Sequence, residues 1–146
     1  MAGVSELVIR PVSLVQTRRL RQAILRPHQT LAEMAGSEAP GAFAIGAFEG
    51  EGLVSVGLIA PDGEPDSWRV RGMATEAHAR GRGAGSAILR ALLQHARERG
   101  ARRVWCNART PARVFYERAG MKATSGEFDV PEIGPHLVME VDLKGG

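Results

Sequence analysis

Apolar positions along the chain follow two patterns in alternation, one of period two and one of three to four residues, which predicts strands interleaved with helices. Glu6 to Arg10 reads as a first strand. Ser13 to Leu25 follows with Leu14, Val15, Leu20, Ala23 and Ile24 at roughly helical spacing, and Arg26-Pro27-His28 ends that helix. A second short helix is predicted from Thr30 to Met34, then a loop from Gly36 to Pro40. Ala42 to Phe48 and Leu53 to Ala60 are strand-like and flank Glu49-Gly50-Glu51-Gly52, which reads as a hairpin turn. Pro61 to Pro65 predicts another turn before a strand-like run from Trp68 to Thr75.

The best-defined element is a helix from Ala84 to Arg99. Ala84, Ala87, Ile88, Ala91, Leu92 and His95 recur there every three or four residues and predict one buried stripe, and Gly100 stops the helix. Arg103 to Asn107 is a further strand. Thr110-Pro111 supplies an N-cap and a first-turn proline for a short helix ending before Gly120. Two more strand-like runs in Lys122 to Leu143 are separated by Pro131-Glu132-Ile133-Gly134-Pro135. The pattern predicts one α/β domain over residues 1–146, with a mixed sheet of six or seven strands and about four helices.

Between the Trp68–Thr75 run and the helix stands Arg80-Gly81-Arg82-Gly83-Ala84-Gly85-Ser86. Alternating glycines at a strand-to-helix corner let the backbone approach a ligand and turn several N–H groups toward one point, at the positive end of the helix dipole. That is a cradle for a pyrophosphate. No Lys-Ser/Thr pair follows the last glycine, so a P-loop is excluded. The glycine spacing also departs from the dinucleotide fingerprint, and the next strand ends in the amide Asn107 where an acid for the ribose is required. A ligand with a pyrophosphate and a long arm lying between two strands remains, which describes coenzyme A.

These residues resemble the GCN5-related N-acetyltransferase (GNAT) superfamily. The motif Q/R-x-x-G-x-G/A is matched by Arg80 to Gly85, the preceding strand reads Val70-Arg71-Gly72-Met73-Ala74-Thr75, and a second signature runs from Ala112 to Met121. The resemblance implies a sheet whose central parallel strands splay to admit acetyl-CoA as co-substrate, and transfer of acetyl to the primary amine of an acceptor, either a small molecule or a protein. It implies that Met73 offers the N–H that polarises the thioester carbonyl, that Ala74 and Thr75 engage the pantetheine arm, and that Tyr116, flanked by Phe115, Glu117 and Gly120, is the general acid for the departing thiolate. Ala112 and Phe115 belong to the same cofactor-binding segment. The family's asparagine seven residues before the tyrosine is replaced here by Arg109, so the amide contact passes to Asn107 or Arg109 contacts a phosphate instead.

For the base that deprotonates the acceptor ammonium, Glu127, Asp129 and His136 are the first candidates, since the loop between the last two strands borders the acceptor site in this fold, and His28 is the next. Cys106 is read as a small buried apolar residue, because direct transfer needs no covalent enzyme intermediate.

Composition narrows the alternatives. At 146 residues and 44% hydrophobic the chain suffices for one full core, and a lone cysteine excludes an internal disulfide and any cysteine-based zinc site; no metal is expected. The N-terminus lacks a signal-peptide pattern and no run of about eighteen apolar residues occurs, so a cytoplasmic protein without membrane contact is expected. The net charge is +3, but residues 69–118 hold twelve arginines against Glu76, Glu98 and Glu117, a local +9 that suits the phosphates of coenzyme A. An arginine-rich RNA-binding domain is the rival of another class, set aside for want of exposed aromatics to stack bases. Another acyl donor, binding without turnover, and a homodimer are left open.

Overall fold

The computed structural model describes residues 6–143. Its elements run β1 (Leu7–Val12), α1 (Leu14–Leu25), α2 (Leu31–Gly36), β2 (Phe43–Glu49), β3 (Gly52–Asp62), β4 (Glu64–Thr75), α3 (Ala84–Glu98), β5 (Arg103–Arg109), α4 (Arg113–Glu117), β6 (Lys122–Ala123), β7 (Phe128–Val130) and β8 (Gly134–Asp142), with single 3-10 turns at Ala77–Ala79 and Thr110–Ala112. One sheet holds every strand in the order β1-β2-β3-β4-β5-β8-β6, and β7 pairs with the start of β8. All pairings are antiparallel except β4 with β5. The sheet is thus the expected mixed α/β one, and the two very short strands β6 and β7 bring its count to eight.

Local chemistry explains the helix starts. Ser13 and Thr30 each cap a helix and each is answered by a side chain three residues on, Gln16 and Glu33, so both helices open with a reciprocal capping box. Helix α3 lies on one face of the sheet, where Ile88, Leu89, Leu92 and Ala96 are completely buried against Ile45, Ala47, Ile59, Val70 and Val104. Helix α1 lies on the other face, with Leu20 against Val56 and Ala74.

Three expectations are corrected. The buried stripe of α3 is rotated, because Leu89 and Leu93 take deep positions while Ala87, Ala91 and His95 are only half-buried: a leucine removes more apolar area from water than an alanine. Strand β4 begins at Glu64, so the turn narrows to Gly63 at φ +73°. Pro61 and Pro65 lie within strands, the latter ahead of Ser67, where pairing with β5 starts, so no ladder bond to that strand is lost. Thr110 does not cap α4; its hydroxyl donates to Glu127 at 2.9 Å.

Candidate active site

Strands β4 and β5 are paired only from Ser67–Arg69 to Arg103–Trp105. Beyond that point no ladder joins them, and the backbone groups on the facing edges are left for another partner. The opposite edge of β4 is irregular at the same level. Val56 pairs with Ala74 but Leu58 with Arg71, so Gly72 and Met73 together oppose Gly57: a β-bulge, with Gly72 at φ +65°. The extra residue changes the parity of the strand. Val70 belongs to the core under α3 and Ala74 to the core under α1, although the two are four positions apart and would share a face in a regular strand. Met73 therefore lies on the bulged stretch of β4 that β5 does not pair.

The glycine loop lies past the end of β4. Gly83, at φ +82°, is the N-cap of α3, and no side chain caps it; the first turn carries no acidic residue. The first helical bond from this end is Ala87 N–H to the Gly83 carbonyl, which leaves the N–H groups of Ala84, Gly85 and Ser86 without helical acceptors. A Cβ on Gly81 or Gly83 would meet nothing within 4 Å, whereas one on Gly85 would stand 3.3 Å from the Phe115 ring and 3.8 Å from the Thr75 hydroxyl. Glycines whose α-carbons are open to approach, donors without helical acceptors and a positive helix end together fit a pyrophosphate. Arg80 donates from Nε to the Thr75 carbonyl at 3.2 Å, and Arg82 is ion-paired with Glu49 at 2.8 Å.

Tyr116 projects from α4 into the core and is buried, its ring edge-on to Phe115 at 5.0 Å, with Ala112 packed nearby. Its hydroxyl lies beside the Cys106 thiol on β5. Burial, and then the neighbouring sulfur, hold the Tyr116 hydroxyl well above its usual range, so it keeps its proton at neutral pH. Burial likewise pushes the Cys106 thiol up to about 12; it is no thiolate nucleophile at neutral pH.

On the α1 side of the sheet a cavity of about 430 Å³ opens between α1, α2, β4 and the β7–β8 hairpin, and Val70, Arg71, Gly72, Asn107 and His136 are among its lining residues. His136 is buried, and its Nδ1 lies 2.8 Å from the Gly134 carbonyl. Donation from Nδ1–H to that carbonyl fixes the tautomer and leaves Nε2 as an acceptor. Phe128 stacks on the same ring at 6.0 Å.

The other base candidates are not brought there. Glu127 and Asp129 are exposed and outside the cavity lining, as is His28. Asn107 and Arg109 lie on the opposite face of β5 from Cys106 and Ala108; Asn107 lines the cavity and Arg109 stands close enough to Arg26 to disfavour its charge. The arginine surplus assigned to coenzyme A is therefore divided, since Arg69 and Arg71 also face the cavity. Sequence reasoning missed Arg21, Arg26, Arg69 and Arg71 as site residues. The spacing of Arg69 and Arg71, two apart on a strand and hence on one face, was the available signal.

Residues 13–121 match the acetyltransferase (GNAT) family. The uncharacterized N-acetyltransferase YitI of Bacillus subtilis (strain 168) is 34% identical over 145 residues, covering 94% of this chain and 97% of that protein. Among solved structures, the ribosomal-protein-S18-alanine N-acetyltransferase of Escherichia coli superposes with a TM-score of 0.77 at 14% identity over 94% of each chain. A GNAT family acetyltransferase from Elizabethkingia anophelis, solved with acetyl-CoA bound, gives 0.73 at 11% identity, covering 94% of this chain and 98% of its own. The glycine loop, the splayed strands and these matches agree: the chain belongs to the acetyltransferase (GNAT) family, and is an acyltransferase.

Proposed function

We propose that this protein is an acetyl-CoA-dependent N-acetyltransferase that passes acetyl directly to the primary amine of an acceptor in the cytoplasm. One observation carries the reading: β5 leaves β4 unpaired beyond Arg69, and the freed stretch, bulged at Gly72–Met73 against β3, lines the cavity of His136 with Arg71 and Gly72 and runs on toward the glycine loop. In this reading the loop from Arg80 to Ser86 holds the pyrophosphate through backbone N–H groups, and Met73, Ala74 and Thr75 hold the arm. Acetyl-CoA supplies the activated acetyl group and a thiol leaving group.

The chain's own residues do the rest. The Met73 N–H stabilises negative charge on the carbonyl oxygen. His136, through Nε2, accepts the proton that the ammonium must lose before its nitrogen attacks. Tyr116, which burial keeps protonated, donates toward the departing sulfur. Burial also makes this hydroxyl a weak acid, so its contribution is a hydrogen bond that strengthens as charge develops on sulfur.

The test is direct. Acetyl-CoA at a hundred times its dissociation constant adds about 2.7 kcal/mol of stability and raises the melting temperature accordingly. Thiol release with a panel of amines then reports turnover. Absence of any thermal shift with acetyl-CoA overturns the reading.

A further inference from the structure

The cavity beside His136 is lined by four arginines, Arg21, Arg26, Arg69 and Arg71, and by a single acidic residue among the described ones, Glu38. Glu38 is already engaged: it accepts from Arg18 at 2.8 Å and from Arg21. No carboxylate among the described residues pairs with Arg26, Arg69 or Arg71. Arg26 donates to the Leu25 carbonyl at 2.8 Å. Arg69 lies over the Trp105 ring at 4.6 Å, and its Nε is buried without a hydrogen-bond partner. Burial, then Arg71, works against its charge, with Asp62 in partial compensation; burial, then Arg109, works against that of Arg26.

Gathering three guanidinium groups without a paired carboxylate at one cavity costs the folded state, and of the three only Arg69 has a ring to lie against. An oxyanion bound among them would reverse that balance. The donors are planar forks, unlike the nest of backbone N–H groups at residues 80–86, and a fork pairs edge-on with a planar carboxylate. A volume of about 430 Å³ suits a small molecule. Resting on the N-acetyl transfer read above, we propose that the acceptor is a small amine that also carries a carboxylate, held by Arg26, Arg69 and Arg71 with its amino group at His136. Cationic acceptors such as polyamines are rejected by the same charges.

Two measurements test this. In thiol-release assays, L-amino acids and small aminocarboxylates are compared with their carboxamides, with spermidine, with phosphoethanolamine and with an acidic tripeptide. The expected result is kcat/KM for acids at least about tenfold above the amides, reduced about tenfold by Arg69→Gln or Arg71→Gln, chiefly through KM. In thermal shift, glutarate, which has no amine to acetylate, stabilises the parent but neither variant, while the shift with acetyl-CoA is unchanged. Both variants melt at or above the parent temperature, because each relieves repulsion.

Preference for amides, spermidine, phosphoethanolamine or the tripeptide, or a preference for acids that survives both substitutions, overturns the proposal while leaving N-acetyl transfer intact. No thermal shift with acetyl-CoA sinks the transferase reading instead, and glutarate then decides the cavity by itself: no stabilisation of the parent, or equal stabilisation of the variants, overturns the carboxylate site.

Discussion

The sulfur of Met73 occupies the place that a side chain on Gly57 would need. A Cβ built on Gly57 would stand 2.4 Å from Met73 Sδ, 2.9 Å from Ile88 Cγ2 and 3.0 Å from Leu92 Cδ1. The bulge in β4 is therefore seated against α3 by a methionine that requires a glycine across the strand pair. Gly57→Ala is expected to cost about 1–3 kcal/mol as an overpacked core site. Met73→Ala in the same chain gives that side chain room, so the double variant is expected to be more stable than the sum of the singles by about 0.5 kcal/mol or more. Urea denaturation of the four proteins measures the coupling; strict additivity would show that Met73 does not make the contact.

A side chain on Gly83 meets no neighbour but must adopt φ +82°, a conformation that costs an L-residue about 1–2 kcal/mol. Gly83→Val is expected to retain the fold and to lose most of its affinity for acetyl-CoA, since both the strain and the bulk fall on the phosphate side of the loop. Arg80→Ala and Arg82→Ala are expected to weaken binding less, because the backbone donors remain. Calorimetric titration checks all three, and parent-like affinity of Gly83→Val would remove the loop as the phosphate site.

The glycine loop that opens α3 was legible because its evidence is local: three glycines, a basic flank and a strong helix lie consecutively in the chain. The capped helices α1 and α2 and the 49–52 turn were legible for the same reason. What escaped was set by distant partners. Arg69 and Arg71 were counted with the cofactor side because a charge tally carries no face, and the bulge that reverses strand parity shows only in the pairing with β3. Arg26 joins them from the end of α1, which no spacing in β4 foretells. Glu127 and His136 looked equivalent in sequence, yet pairing of β7 with β8 buries one and leaves the other exposed beside Thr110.

Tyr116→Phe keeps the ring and removes the donor. With Tyr116 as general acid, kcat is expected to fall roughly 10- to 1000-fold while acetyl-CoA affinity changes little. Steady-state kinetics with chemistry rate-limiting, beside a binding titration, separates the two quantities. An unchanged kcat would leave Tyr116 a packing residue that merely partners Cys106.

Cys106 makes the fold sensitive to alkali. The unfolded thiol ionises from about pH 9, while the folded one resists until about 12. Its contribution is therefore complete below pH 9 and is lost as pH rises through that window, at about 1.4 kcal/mol per unit. The raised Tyr116 hydroxyl adds a loss of the same sign above its own ordinary value of 10. Cys106→Ala is expected to flatten the decline of melting temperature between pH 9 and 10, and Cys106→Ala with Tyr116→Phe to flatten it further between about pH 10 and 11. Thermal melts across that range in matched buffers measure the slopes; a parent slope in the double variant would mean that neither group is buried as described.

The acceptor side yields the most demanding test, because a base and a structural histidine make different pH profiles. His136 has one ring nitrogen fixed by Gly134 and the other available, and it lines the cavity, whereas Glu127 and Asp129 are exposed outside it. His136→Ala is expected to depress kcat/KM at neutral pH and to recover progressively toward pH 10, where the acceptor amine is already neutral and no base is needed. Glu127→Gln and Asp129→Asn are expected to follow the parent profile. The profile is measured from about pH 6 to 9, inside the range where the Cys106 and Tyr116 losses have not begun, with single points to pH 10 corrected by the melts. A uniform fall in His136→Ala at every pH, together with a lower melting temperature, would assign His136 to packing against Phe128. A parent-like profile in all three would give the proton to water in the cavity, and a rescue seen only in Glu127→Gln would move the base to the β6–β7 loop.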